Sequence, residues 1–181
     1  MKSSLRKRKP SRLAWKHTLK RGVSYHQISR GDYPWLWSAY QREGFTDLPI
    51  PRDLDSDQFS EVLDSIIEIY YSRDGTIVIC EAYFEEWKGS APICVVFVDK
   101  SQNAFFPHVT WFSWATPRNK IESTVNFLKD LVKDGNVVIF SEKKTMYFFS
   151  HMARYGILDR RGTLKKYFPD GGDAIIYQGR K

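Results

Sequence analysis

Few residues in this chain are placed to do chemistry. His108 and Thr110 stand two apart in the aromatic run Phe105–Trp114, so on a strand they share one face, with Phe112 and Trp114 beyond them. An imidazole facing a cleft can take the proton from an attacking group. The alternative is a hydrogen-bonded histidine within an aromatic-rich sheet, because the sequence around His108 supplies no orienting carboxylate. His151 falls on a helical stretch beside Arg154 and reads as a surface residue. Glu81, Glu85 and Glu86 look like a carboxylate cluster, but strand alternation separates Glu86 from the other two. Glu85 and Glu86 also border a turn, so solvated turn charges are the expectation. Cys80 and Cys94 sit in apolar runs without a CxxC or zinc spacing, which reads as two buried, reduced thiols, no metal site and a reducing compartment. The chain has no GxSxG, HExxH or GxxxxGK[ST] pattern to support hydrolase, metalloprotease or P-loop chemistry.

Charge is concentrated at one end. Lys2, Arg6, Lys7, Arg8, Lys9, Arg12, Lys16, Lys20 and Arg21 precede the first acid, Asp32, and outweigh the whole net charge of +7. We read residues 1–22 as a basic N-terminal arm and 23–181 as the folded domain. Such an arm suits nucleic-acid phosphates or an acidic protein surface, and Trp15 and His17 offer stacking. A solubilising tail, a nuclear signal over Arg6–Pro10 and a transit peptide share the same composition. The apolar residues of the arm form no clean stripe, and no apolar run is long enough for a membrane span. A cytoplasmic or virion-associated location is the expectation.

The rest of the chain must position His108. With 42% hydrophobic and 15% aromatic residues it can build a sizeable core. Strands are expected at Val23–Ile28, Thr76–Phe84, Ile93–Asp99, Phe105–Trp114, Val137–Phe140, Ile157–Leu164 and Asp173–Gln178. Asp32 is a plausible N-cap for a helix running to about Gly44, with Pro34 early in it. Asp55 and Gln58 form a capping-box pattern ahead of Phe59, Val62, Leu63, Ile66, Ile67 and Tyr70, spaced for one helical face. Ile121 to Val132 and Lys144 to Arg154 give two more helices, stopped by Gly135 and Gly156. Pro169-Asp170-Gly171-Gly172 is a turn. Three consecutive strands followed by strand–helix–strand units imply a mixed α/β sheet of about six to seven strands with about four helices.

That order, over residues 23–178, resembles the GNAT (Gcn5-related N-acetyltransferase) fold. Arg30-Gly31-Asp32 leads the first strand into a helix, Trp114–Lys120 occupies the junction of the family's acyl-CoA loop, and Met152–Ile157 resembles its Tyr-x-x-x-Gly-Phe ending. The chain also resembles GNAT-like proteins of tailed bacteriophages, some of which resemble virion components. The resemblance implies that an enzyme of this kind would bind acetyl-CoA through Arg118, Asn119, Lys120 and Ser123 and use His108 and Tyr155 as catalytic groups. Two departures oppose this. The family's loop glycines, which let backbone N–H groups approach a diphosphate, fall on Ile121 and Ser123. The position of its thiol-protonating tyrosine is Met152. The leading expectation is therefore a non-catalytic GNAT-fold protein without cofactor, working through its arm on nucleic acid or in a larger viral assembly. The alternative is an acyl-CoA-dependent N-acyltransferase acting on an amine.

Overall fold

The computed structural model describes residues 16–18, 23–43, 50–51, 53–86, 88–101 and 103–180. In chain order the elements are β1 (Lys16–Thr18), β2 (Val23–Gln27), α1 (Tyr33–Glu43), α2 (Ser56–Ser72), β3 (Thr76–Phe84), β4 (Gly89–Ser101) and β5 (Ala104–Trp111). There follow α3 (Pro117–Asp134), β6 (Asn136–Ser141), α4 (Met146–Arg154), β7 (Leu158–Leu164) and β8 (Ala174–Gly179). The strands form one sheet in the order β1-β2-β3-β4-β5-β6-β8-β7. Every neighbouring pair is antiparallel except β5 and β6. Among the described residues the fold is a mixed α/β sheet with four α-helices, as the order of elements implies.

All seven expected strands and all four expected helices are present. The eighth strand is β1, which pairs Lys16–Thr18 with Ser24–His26. The sheet thus takes in three residues of the stretch assigned to the basic arm. Backbone bonds alone define so short an edge strand, so no apolar pattern announces it. The other basic residues of the arm (Lys2, Arg6, Lys7, Arg8, Lys9, Arg12, Lys20 and Arg21) lie outside the described residues, as does Gly44.

Local sequence accounts for the helix starts. Asp55 Oδ1 accepts from the N–H groups of Asp57 and Gln58 at 2.9 and 2.8 Å, and Gln58 Oε1 accepts from Asp55 N at 3.0 Å, closing the capping box. Asp32 differs from expectation: it ends a 3-10 turn, Arg30–Asp32, rather than capping α1. Its carboxylate reaches back to Ser29, accepting from Ser29 N at 2.7 Å and Ser29 Oγ at 2.9 Å, and also meets His26 Nε2 at 2.9 Å. Burial opposes ionisation of Asp32, but His26 and the two Ser29 donors together hold its carboxyl below the usual range. In the C-terminal part, the Pro169–Gly172 turn closes through Phe168 N to Gly172 O at 3.0 Å.

The sheet has a core on each face. α3 and α4 bury Phe127, Leu131 and Met152 against Tyr25, Val78, Val96 and Tyr177. α1 and α2 bury Leu36, Phe59 and Leu63 against Ile77, Ile79 and Phe97. Strands β3 and β4, covered on both sides, are therefore buried almost without alternation. Tyr25 donates its hydroxyl to Asp130 of α3, which fastens that helix to the sheet.

A gap in the sheet between two parallel strands

Strands β5 and β6 pair only at Ala104↔Asn136 and Phe105↔Val137. Beyond that rung the two strands separate, β5 staying with β4 up to Trp111 and β6 with β8 up to Ser141. Pro107 stands just past the rung, where the side of β5 that it presents to β6 no longer needs an N–H. Phe112 N donates to Ile93 O at 3.0 Å, which fixes the alternation along β5. Residues 106, 108 and 110 turn their backbone groups to β4; Val109 and Trp111 turn theirs across the gap.

On the face of α3 and α4 the gap opens into a narrow cavity of about 10 Å³, room for about one water, lined by Cys94, Pro107, Val109, Phe127, Ile139 and Phe149. Both cysteines are buried, free and paired across β3 and β4, and burial raises the Cys94 thiol well above its ordinary range. They are apolar wall, not nucleophiles. Phe106 and Phe140 stack across the gap on the opposite face, with centroids 6.1 Å apart.

His108 lies on that opposite face, half a strand above the last rung, and is 62% exposed at its side chain. Asp99 of β4 is its neighbour: Asp99 Oδ2 and His108 Nε2 are 3.8 Å apart. The sequence reading missed this carboxylate. The signal for it is the β4–β5 hairpin, whose register sets Phe97 opposite His108 and so puts Asp99 diagonal to it on one face. At 3.8 Å the contact is too long for a hydrogen bond and is an ion pair only when His108 is protonated.

The remaining expected site residues are not brought together with His108. Tyr155 caps the C-terminus of α4 and borders an open depression with Lys129 and Lys133, roughly 18 Å along α3 from its N-terminus. It packs edge-on against His151, which is half-buried rather than fully exposed. The two groups expected to be catalytic therefore stand at different ends of the domain. Met152, at the position of the family's acid, is wholly buried under α3 and supplies no proton. Glu85 pairs with Lys88 at 3.0 Å and is exposed, as turn charges are.

Arg118, Asn119, Lys120 and Ser123 lie within the first two turns of α3, not in a loop ahead of it. Thr116 caps that helix and Pro117 opens it, a signal present in the sequence. Thr116 Oγ1 accepts from Asn119 N at 3.2 Å, and Thr116 O accepts from Lys120 N at 3.0 Å. Pro117 has no N–H. Arg118 contributes the one first-turn N–H that neither the proline nor the cap removes. The Ser123 hydroxyl is buried and donates to Asn119 O at 2.8 Å, so it faces no ligand. Arg118 is held by Glu122 at 2.9 Å, and the Lys120 ammonium sits 5.7 Å over the Trp111 ring. Among the described residues no group of three His, Cys, Asp or Glu side chains gathers at metal-binding range. No helix there is long and apolar enough to cross a membrane.

This geometry is shared with solved structures. A ribosomal-protein-S5-alanine acetyltransferase from Vibrio fischeri superposes with a TM-score of 0.65 at 11% identity, over 90% of this chain and 94% of that one. A GNAT-family acetyltransferase from Bordetella pertussis gives 0.63 at 12%, over 92% and 99%. The spermidine N-acetyltransferase from Vibrio cholerae, solved with CoA and spermine, gives 0.58 at 10%, over 87% and 94%. No protein-family model matches the chain. No curated protein matches it in sequence. The fold is therefore that of the GNAT acetyltransferases.

Coenzyme A is the group such a fold implies, and the residues present fit it only in part. The gap presents the edge of β5 beside an apolar cavity of about 10 Å³, so a narrow chain is all it admits. The N-terminus of α3 does not fit a diphosphate: it carries a proline, a filled cap and no glycine from Phe112 to Ser123.

Proposed function

We propose that the chain is an N-acyltransferase that moves an acyl group from a thioester of the coenzyme A class to an amine, in the gap between β5 and β6. The observation that carries this reading is the gap itself. Two adjacent parallel strands part after two rungs, at a cost in ladder hydrogen bonds, and leave unpaired β5 backbone facing an apolar cavity. The neighbouring folds support it, since those named above are acetyltransferases, one of them of spermidine and one of a ribosomal-protein alanine. Attack by an amine requires a group to accept its proton, and His108 is placed for that role beside the gap, with Asp99 stabilising the imidazolium.

A second reading keeps the fold without turnover, the chain serving in an assembly or on nucleic acid through its basic arm. Met152 in place of an acid and the closed α3 N-terminus favour it. Mass spectrometry separates the two. Incubation with acetyl-CoA and a panel of polyamines and N-terminal alanyl peptides should yield an amine product heavier by one acetyl group. No acetylated product from any amine would leave the second reading standing.

A further inference from the structure

We propose that the acyl donor is recognised by its pantetheine arm, and that the nucleotide diphosphate of coenzyme A adds little to binding. The inference rests on the gap being the donor site and goes further by naming the part of the donor that the chain reads. Two halves of a coenzyme A site are present here in unequal states.

The half that meets the arm is intact. Val109 and Trp111 turn N–H and C=O groups across the gap, where a chain with two secondary amides can continue the β5 ladder as a strand would. Pro107 costs this ladder its lowest donor but none above it. Apolar side chains of Val109, Ile139 and Phe149 close around the narrow space.

The half that meets the diphosphate is closed. A helix N-terminus binds phosphate through bare N–H groups and their aligned dipoles. On α3 the first N–H is missing at Pro117, the third is spent on the Thr116 side chain, and the fourth is spent within the helix. Ile121 adds a β-branched side chain in the second turn. Glu122 sets a carboxylate in that turn and engages Arg118, the cation nearest the cap. Lys120 is drawn down onto Trp111. What is left is one N–H and a partly neutralised arginine, too little to repay desolvation of a diphosphate.

The test is calorimetric titration of the full chain with pantetheine and with coenzyme A, at a salt concentration of about 0.3 M so that the basic arm is screened. The two dissociation constants should agree within about threefold. Coenzyme A binding some thirtyfold tighter than pantetheine would overturn the inference while leaving acyl transfer in place. Failure of both to bind at millimolar concentration would instead remove the donor site and the proposed function with it. A second variant tests the cause. Thr116→Ala with Pro117→Ala frees the Asn119 N–H and adds another, which should tighten coenzyme A about tenfold, the effect of a charge-assisted hydrogen bond, and leave pantetheine unchanged. No gain, in a variant whose circular dichroism shows it folded, would contradict the assignment of the loss to these residues.

Discussion

Phe105 and Val137 form the last rung between β5 and β6, and the functional geometry of the domain begins there. Below the rung, Phe105 packs into the core beside Gly135, the residue that ends α3. A Cβ on Gly135 would stand 2.5 Å from the Phe105 ring, so the chain passes from helix to strand at the closest approach the ring allows. Above the rung the sheet is open, with Val109 and the cavity on one face and His108 on the other.

His108→Ala should lower the acyl-transfer rate about a hundredfold, the usual worth of a positioned general base. Asp99→Asn should lower it less, by several-fold, because the ion pair is long and half-exposed. The loss should fall on kcat with KM unchanged, and a variant with an unchanged rate removes Asp99 as the positioning residue.

Restoring a tyrosine at Met152 should not restore an acid. The side chain there is enclosed by α3 and the sheet, so Met152→Tyr overpacks the core and should cost about 1–3 kcal/mol in denaturant unfolding, with no gain in rate. A faster enzyme of unchanged stability would mean that this part of α4 faces the gap.

Removal of residues 1–15 should leave β1 and the melting temperature intact but abolish most affinity for duplex DNA. If about five basic residues of the intact arm meet phosphates, log affinity should fall with log salt at a slope of about −4.5, and truncation, which leaves Lys16, Lys20 and Arg21, should flatten it to no steeper than about −2.7. An unchanged slope would place the polyanion site elsewhere. A truncation that unfolds the domain would show that the arm packs as structure.

Stability should decline above about pH 10 through Tyr25. Burial first, and its hydrogen bond to Asp130 second, raise the phenol well above its ordinary range. A group whose folded pKa is raised contributes fully below its unfolded pKa and loses that contribution as pH climbs toward the folded value. Tyr25→Phe should therefore be less stable near neutral pH, by about 1 kcal/mol, and show a flatter decline in alkali. Equal slopes for both proteins would assign the alkaline loss to other groups, Tyr33 among them.

Much of this fold was readable because each element carries its own local signal. The Asp55–Gln58 capping box, the i, i+3, i+4 spacing from Phe59 to Tyr70 and the Pro169–Gly172 turn all act over a few residues. The site was less readable because it is made by pairing. Asp99 reaches His108 only through the hairpin register, and β1 exists only as backbone bonds to β2. Thr116-Pro117 marks the start of α3, so Ile121 and Ser123, where the family's glycines fall when aligned from Arg118, are helical. Tyr155 was drawn to the site by sequence proximity to Met152, although Met152 faces the core and Tyr155 ends the helix at the far side.

The central claim is that the gap between β5 and β6 holds the acyl donor, and filling the gap tests it most directly. Val109→Trp adds a large side chain to the cavity wall without touching His108 or the last rung. Pantetheine binding in calorimetry and acetyl transfer to amine should both be lost, while circular dichroism still shows the native sheet and helices. Binding and transfer that survive in the folded variant would contradict the account, because the donor would then lie somewhere other than between these strands.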